Sequence, residues 1–149
     1  MLAVKRRLSP LYESSKTETL SDEHPAPAKK KSWGFHLLVD ASGLNKKMDS
    51  PTDIRGFFRV LIRTLKMKEL TPLMLVKVKG EEGRGISALQ GITTSHLCAH
   101  FDDEKRCAYI DIFSCKTFKP EIALALIKET FDPKRMTHKF LYRDAGKHG

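Results

Sequence analysis

Ile86-Ser87-Ala88-Leu89-Gln90-Gly91-Ile92-Thr93-Thr94-Ser95-His96-Leu97-Cys98-Ala99-His100-Phe101 is the stretch that decides the architecture of this chain. Two strand-like segments, 86–93 and 96–101, meet there with only Thr94-Ser95 between them, and a third, 107–113, follows the polar run Asp102-Asp103-Glu104-Lys105-Arg106. Connections that short join antiparallel neighbours, because a parallel pair needs a crossover of about a dozen residues or more. Upstream, 73–79 reads as a strand with Lys77 and Lys79 pointing outward, and the glycine-rich segment 80–85 as a mobile loop. Its glycines are too irregular for a phosphate loop and lack the Lys-Ser/Thr ending.

Further out, Ser50-Pro51-Thr52-Asp53 opens a helix. Ser50 caps the free amides, Pro51 suits the first helical position and Asp53 meets the positive end of the dipole. Ile54, Phe57, Phe58, Leu61, Ile62 and Leu65 then recur at helical spacing, with Arg55, Arg59, Arg63 and Lys66 off that stripe. Before this helix, 35–41 is a short apolar run closed by Ser42-Gly43, which reads as a strand. Beyond the central strands a second helix is predicted over 120–130, with Ile122, Ala123, Leu126 and Ile127 on its inner side and Asp132-Pro133 stopping it. An edge strand follows over 135–141. The order predicts an α+β fold: a two-layer α/β sandwich whose mostly antiparallel sheet carries two helices on one face. The sheet's other face needs cover, which a homodimer stacked sheet on sheet supplies.

At 149 residues the chain has room for one core. The composition shifts near Trp33: residues 1–32, rich in Ser, Thr, Glu, Lys and Pro and ending in Lys29-Lys30-Lys31, read as a flexible basic tail before a domain over 33–149. No stretch approaches the ~20 uninterrupted apolar residues a spanning helix needs, which predicts no membrane partner. The start has no apolar signal region and the three cysteines, Cys98, Cys107 and Cys115, are odd in number, so the expected setting is the cytoplasm with reduced thiols. A net charge of +9 makes nucleic acid a partner to weigh, with Arg55, Arg59 and Arg63 as a phosphate-facing row. No RNA-binding aromatic signature accompanies that row, and it reads as a solvent face.

The densest reactive stretch is Thr94-Ser95-His96-Leu97-Cys98-Ala99-His100, with Cys115 at the end of the next strand. His96, Cys98 and His100 share one face of a strand, as zinc ligands do, but no paired ligand motif supports a metal and none is expected. A serine hydrolase would need a Gly-x-Ser-x-Gly elbow, which is absent. Residue by residue, these side chains are ordinary occupants of a strand surface.

Together they resemble a family. Gly34-Phe35-His36-Leu37-Leu38-Val39-Asp40, Gly85-Ile86-Ser87, Ser95-His96-Leu97 through His100, Glu104, and Ala108 through Asp111-Ile112-Phe113-Ser114-Cys115 are similar to the bacterial and archaeal S-adenosylmethionine decarboxylase proenzymes. The resemblance implies a self-cleaving enzyme feeding spermidine synthesis. Ser95 would attack the carbonyl of Thr94, the chain would split between them, and a covalent pyruvoyl group derived from Ser95 would become the cofactor. It further implies that His100 and Ser87 assist the cleavage within hydrogen-bond reach, that the pyruvoyl carbonyl condenses with the substrate amine and draws electrons as carbon dioxide leaves, and that Cys115 returns a proton to the product. Glu104 matches a family acid that holds the ribose hydroxyls of S-adenosylmethionine.

The chain departs from the family pattern in three places. Thr94 stands where the family has glutamate; ester formation needs only a carbonyl there. Phe101-Asp102-Asp103-Glu104 replaces Thr-Trp-Pro-Glu, removing a flat aromatic surface, and Lys105-Arg106-Cys107 replaces Tyr-Gly-Tyr. The acidic run also suits a cationic amine, so a pyruvoyl-dependent ornithine or arginine decarboxylase stands as the alternative. Two non-catalytic alternatives remain: a homologue that regulates an active partner, and a nucleic-acid-binding module.

Overall fold

The computed structural model describes residues 32–81 and 83–145. Strand β1 (Gly34–Ser42) leads through a short 3-10 turn (Lys46–Asp49) to helix α1 (Pro51–Thr64), which β2 (Met74–Gly80), β3 (Gly83–Ile92), β4 (Ser95–Asp102) and β5 (Cys107–Ser114) follow. Helix α2 (Pro120–Phe131) and β6 (Arg135–Arg143) complete the order. The strands form one sheet in the order β2-β3-β4-β5-β1-β6 with every pairing antiparallel. β6 lies at an edge, as its sequence predicted. The expectation of a tail over 1–32 falls, apart from Ser32, outside the described residues.

Period-two alternation sorts each strand onto two faces. Phe35, Leu37, Val39 and Ala41 of β1, Leu97, Ala99 and Phe101 of β4, and Ala108, Ile110 and Ile112 of β5 are buried under the helices. Helix α1 contributes Ile54, Phe57, Phe58, Leu61 and Ile62 to the same core, and its arginines stay outside. Ser50 caps it by accepting the Asp53 N–H at 3.2 Å. Helix α2 is buried more fully than its spacing predicted, with Leu124 and Ala125 added to the inner set. The reason is a second neighbour: Phe131 meets Phe101 of the sheet at 5.1 Å and Phe57 of α1 at 5.0 Å, so two sides of the helix are covered. Asp132 ends α2 in the left-handed conformation.

The expected mobile loop over 80–85 is instead the tight end of a hairpin. Gly80 pairs with Gly83, Val78 with Gly85, and β3 begins at Gly83. Among the described residues the other face of the sheet carries no helix. By register it displays Met74 and Val76 of β2, Ser87 and Leu89 of β3, His96, Cys98 and His100 of β4, Tyr109, Asp111 and Phe113 of β5, and Leu141 of β6. Met74, Val76, Leu89, Tyr109 and Leu141 are exposed there.

Candidate active site

Thr93 and Thr94 form the two-residue link between β3 and β4, with Ile92 paired to Ser95 across it. Two-residue hairpins favour central residues at positive φ, an angle that β-branched threonine resists. Neither threonine takes it, and the unusual angle falls on Ser95, at φ 149°. A non-glycine residue held there stores strain of order 1–3 kcal/mol. The strand end beside the turn supplies the restraint: the Cys115 backbone N–H donates to the Thr94 carbonyl at 2.8 Å. Ser114 Oγ, fully buried, donates to Thr94 Oγ1 at 2.8 Å. Thr94, Ser95 and Cys115 are therefore brought together, with the Cys115 residue exposed.

Ser87 and His100 form a second group. They sit opposite each other on β3 and β4, and Ser87 Oγ shares a 2.7 Å hydrogen bond with His100 Nδ1. This is the hydroxyl–imidazole contact the sequence led us to expect, but it is not beside Ser95 of the same chain. Five residues of extended strand separate His100 from Ser95, roughly 16 Å. Ser87 and His100 therefore lie away from Ser95 of the same chain, because strand geometry keeps the two ends of β4 apart. Glu104 lies farther still, in the β4–β5 turn, where its carboxylate is 3.8 Å from the Arg84 guanidinium. In that turn Asp102 Oδ1 accepts the N–H groups of Glu104 and Lys105 at 3.1 and 2.9 Å, and Asp103 faces Arg84 at 4.0 Å.

Between the two groups the open face carries Cys98, whose thiol donates to Asp111 Oδ2 at 3.8 Å. Burial, with the Asp111 carboxylate adding to it, pushes that thiol's pKa up. His36 lies nearby with its pKa lowered, chiefly by burial, with Arg143 and His96 adding to the fall and Asp111 opposing it. Its Nε2 is buried without a partner. Among the described residues no group of three or more His, Cys, Asp or Glu side chains is arranged to hold a metal ion. His96, Cys98 and His100 share a face as expected, yet Cys98 and His100 are engaged elsewhere.

Ser114, within the Asp111-to-Cys115 run, joins Thr94, Ser95 and Cys115 although the family resemblance implies no role for it. The signal was available: Ile110, Ile112 and Ser114 share the buried row of β5, and a hydroxyl in such a row must find a partner.

Fold and site define a class: a two-layer α+β protein carrying a strained serine beside an amide-held carbonyl. Residues 35–144 match the family described as S-adenosylmethionine decarboxylase. The chain is 31% identical over 117 residues to an S-adenosylmethionine decarboxylase proenzyme 2 of Bacillus cereus, covering 76% of this chain and 84% of that protein. It is 29% identical over 111 residues to an S-adenosylmethionine decarboxylase proenzyme of Thermomicrobium roseum, covering 71% and 89%. The crystal structure of the adenosylmethionine decarboxylase from Aquifex aeolicus shares the fold, with a TM-score of 0.66 at 21% identity over 80% of this chain and 98% of that one. The chain belongs to the S-adenosylmethionine decarboxylase family.

Proposed function

We propose that this chain is a self-processing S-adenosylmethionine decarboxylase, cut between Thr94 and Ser95 and working as a homodimer whose product feeds spermidine synthesis. The observation that carries the reading is the Cys115 N–H, 2.8 Å from the Thr94 carbonyl, next to a Ser95 held at φ 149°. Addition of Ser95 Oγ to that carbonyl carbon puts charge on the oxygen, where the amide stabilises it. The C–N bond breaks, its nitrogen takes the hydroxyl proton, and the strained turn is relieved. Loss of the Ser95 α-proton then expels Thr94 as a carboxylate, and water replaces the nitrogen, which leaves as ammonia. The residues present fit this conversion of Ser95 to a pyruvoyl group, which when formed supplies the electron sink for loss of carbon dioxide.

The remaining roles belong to side chains. The Ser87–His100 pair passes a proton during cleavage, a task suited to an imidazole already bonded to a hydroxyl. The Cys115 thiol returns a proton to the product carbon, and Glu104 accepts hydrogen bonds from the ribose. Because these groups occupy opposite ends of β4, one protomer offers two half-sites. A two-fold axis running across the strands, with open faces stacked, lays the beginning of β4 over the end of its partner's. The exposed apolar row of Met74, Val76, Leu89, Tyr109 and Leu141 supports that stacking. The unit that carries this reading spans 33–149. The three cysteines are free, as the reducing cytoplasm this reading assigns would keep them, and no described helix is long and apolar enough to cross a membrane.

A cationic amino-acid substrate finds less support. Asp102 is occupied capping its turn, and Arg84 faces both Asp103 and Glu104.

Intact mass under denaturing conditions tests the reading. The expected result is two fragments, one ending at Thr94 and one beginning with a blocked residue 95, and a single uncut chain for Ser95→Ala. An uncut wild-type chain would end the proposal. The cleaved protein should release carbon dioxide from S-adenosylmethionine in preference to ornithine or arginine.

A further inference from the structure

Resting on that reading of the Thr94–Ser95 bond, we propose that Ser114 is a positioning residue for self-cleavage, holding the scissile carbonyl through the hydroxyl of Thr94. Ser114 ends the buried row of β5 and is 0% exposed. Its hydroxyl accepts the Lys116 N–H at 3.0 Å and donates to Thr94 Oγ1 at 2.8 Å. The intervening residue, Cys115, donates its N–H to the Thr94 carbonyl at 2.8 Å. Three consecutive residues at the end of β5 thus join in holding one turn residue by its side chain and its carbonyl. Lys116 anchors this end in turn, its Nζ donating to the Lys66 carbonyl at 2.6 Å.

The consequence follows from the stiffness of threonine. A β-branched side chain has few χ1 wells, so fixing Oγ1 also fixes the Thr94 Cα frame from which the carbonyl reaches the Cys115 amide. Released from Ser114, that frame would turn, easing Ser95 out of φ 149° and swinging the carbonyl oxygen off the Cys115 amide. The step affected is the acyl shift alone: the Oγ–C bond forms, the C–N bond breaks, the proton moves from Oγ to nitrogen, and no other reactant enters. Ser114 touches neither reacting atom and acts through Thr94.

The test follows cleavage of the full-length chain, refolded from denaturant, by denaturing mass spectrometry. Wild type is compared with Ser114→Ala, Ser114→Thr, Thr94→Val and the double variant T94V/S114A, with hydroxylamine quenches that count the ester. Loss of one aligned hydrogen bond is worth about tenfold in rate. We expect Ser114→Ala and Thr94→Val each to slow cleavage by about that factor, the double variant to be no slower than either, and Ser114→Thr to recover most of the rate. Hydroxylamine-releasable ester should fall in Ser114→Ala. Thr94→Val keeps its side-chain volume and carries the test should Ser114→Ala fail to fold. Cleavage of both single variants at the wild-type rate, additive slowing in the double variant, or a rise in trapped ester would overturn the assignment. An uncut wild type would instead remove the self-processing reading on which it rests.

Discussion

Arg106 shows how one residue settles an account between backbone and side chain. It sits at φ 55° in the β4–β5 turn, a left-handed angle costing a non-glycine residue roughly 1–2 kcal/mol. A glycine would take that angle freely. Here the guanidinium offsets the strain: Nη1 donates to both Asp49 carboxylate oxygens at 2.8 and 2.6 Å, and Nη2 to the Leu44 and Asn45 carbonyls at 3.1 and 2.6 Å. The Arg106 carbonyl also accepts the Gly43 and Leu44 N–H groups at 2.9 and 3.2 Å. Arg106→Ala keeps the strained angle and loses the clasp, so it should destabilise the fold by roughly 1–3 kcal/mol. Arg106→Gly loses the same clasp and sheds the strain, and should cost about 1 kcal/mol less. Urea unfolding of the two variants checks that order; an Ala variant as stable as the Gly variant would mean the angle carries no strain.

At the scale of elements, the contact between β3 and β4 depends on Gly85. It has φ 109°, and a Cβ there would run into the Phe101 carbonyl oxygen. Backbone cannot give way as a flexible side chain can, so Gly85→Ala must push the strands apart two residues from the Ser87–His100 bond. The expected outcome is a loss of stability exceeding ~2 kcal/mol, with slower self-cleavage in whatever fraction folds, read by urea unfolding and fragment mass. Much of this layer was legible in the sequence. Alternation in β1, β4 and β5 and the Ser50-Pro51-Thr52-Asp53 cap are local signals, and the structure repeats them within a residue or two. The segment 80–85 misled because glycine signals a loop and a tight hairpin alike, and only pairing with β2 decides between them. The deeper burial of α2 was hidden for a similar reason, since its second neighbour, α1, is distant in sequence. The site was legible as a set of residue types. Its division between the two ends of β4 follows from the five-residue spacing of Ser95 and His100, and the buried row of β5 marks Ser114 as a hydroxyl in need of a partner; that the partner is Thr94 depends on how β5 lines up with β4, which spacing along one strand does not reveal.

For the whole molecule, the proposed homodimer, which would cover the open sheet face and join the two half-sites, carries its own prediction. Cys115→Ala and Glu104→Gln each disable a different half-site, so each homodimer should be inactive. Mixed and allowed to exchange subunits after cleavage, the two should recover about a quarter of wild-type activity, because half the dimers are then mixed and each holds one intact composite site. Mixing without recovery would mean each protomer works alone. The strand order β2-β3-β4-β5-β1-β6 has one more consequence. A cut after Thr94 leaves β1, β2 and β3 on one piece and β4, β5 and β6 on the other, yet β1 remains threaded between β5 and β6. The severed pieces would be woven like warp and weft: parting them would tear three of the five seams in the sheet, so a cut there would leave the strands interlocked.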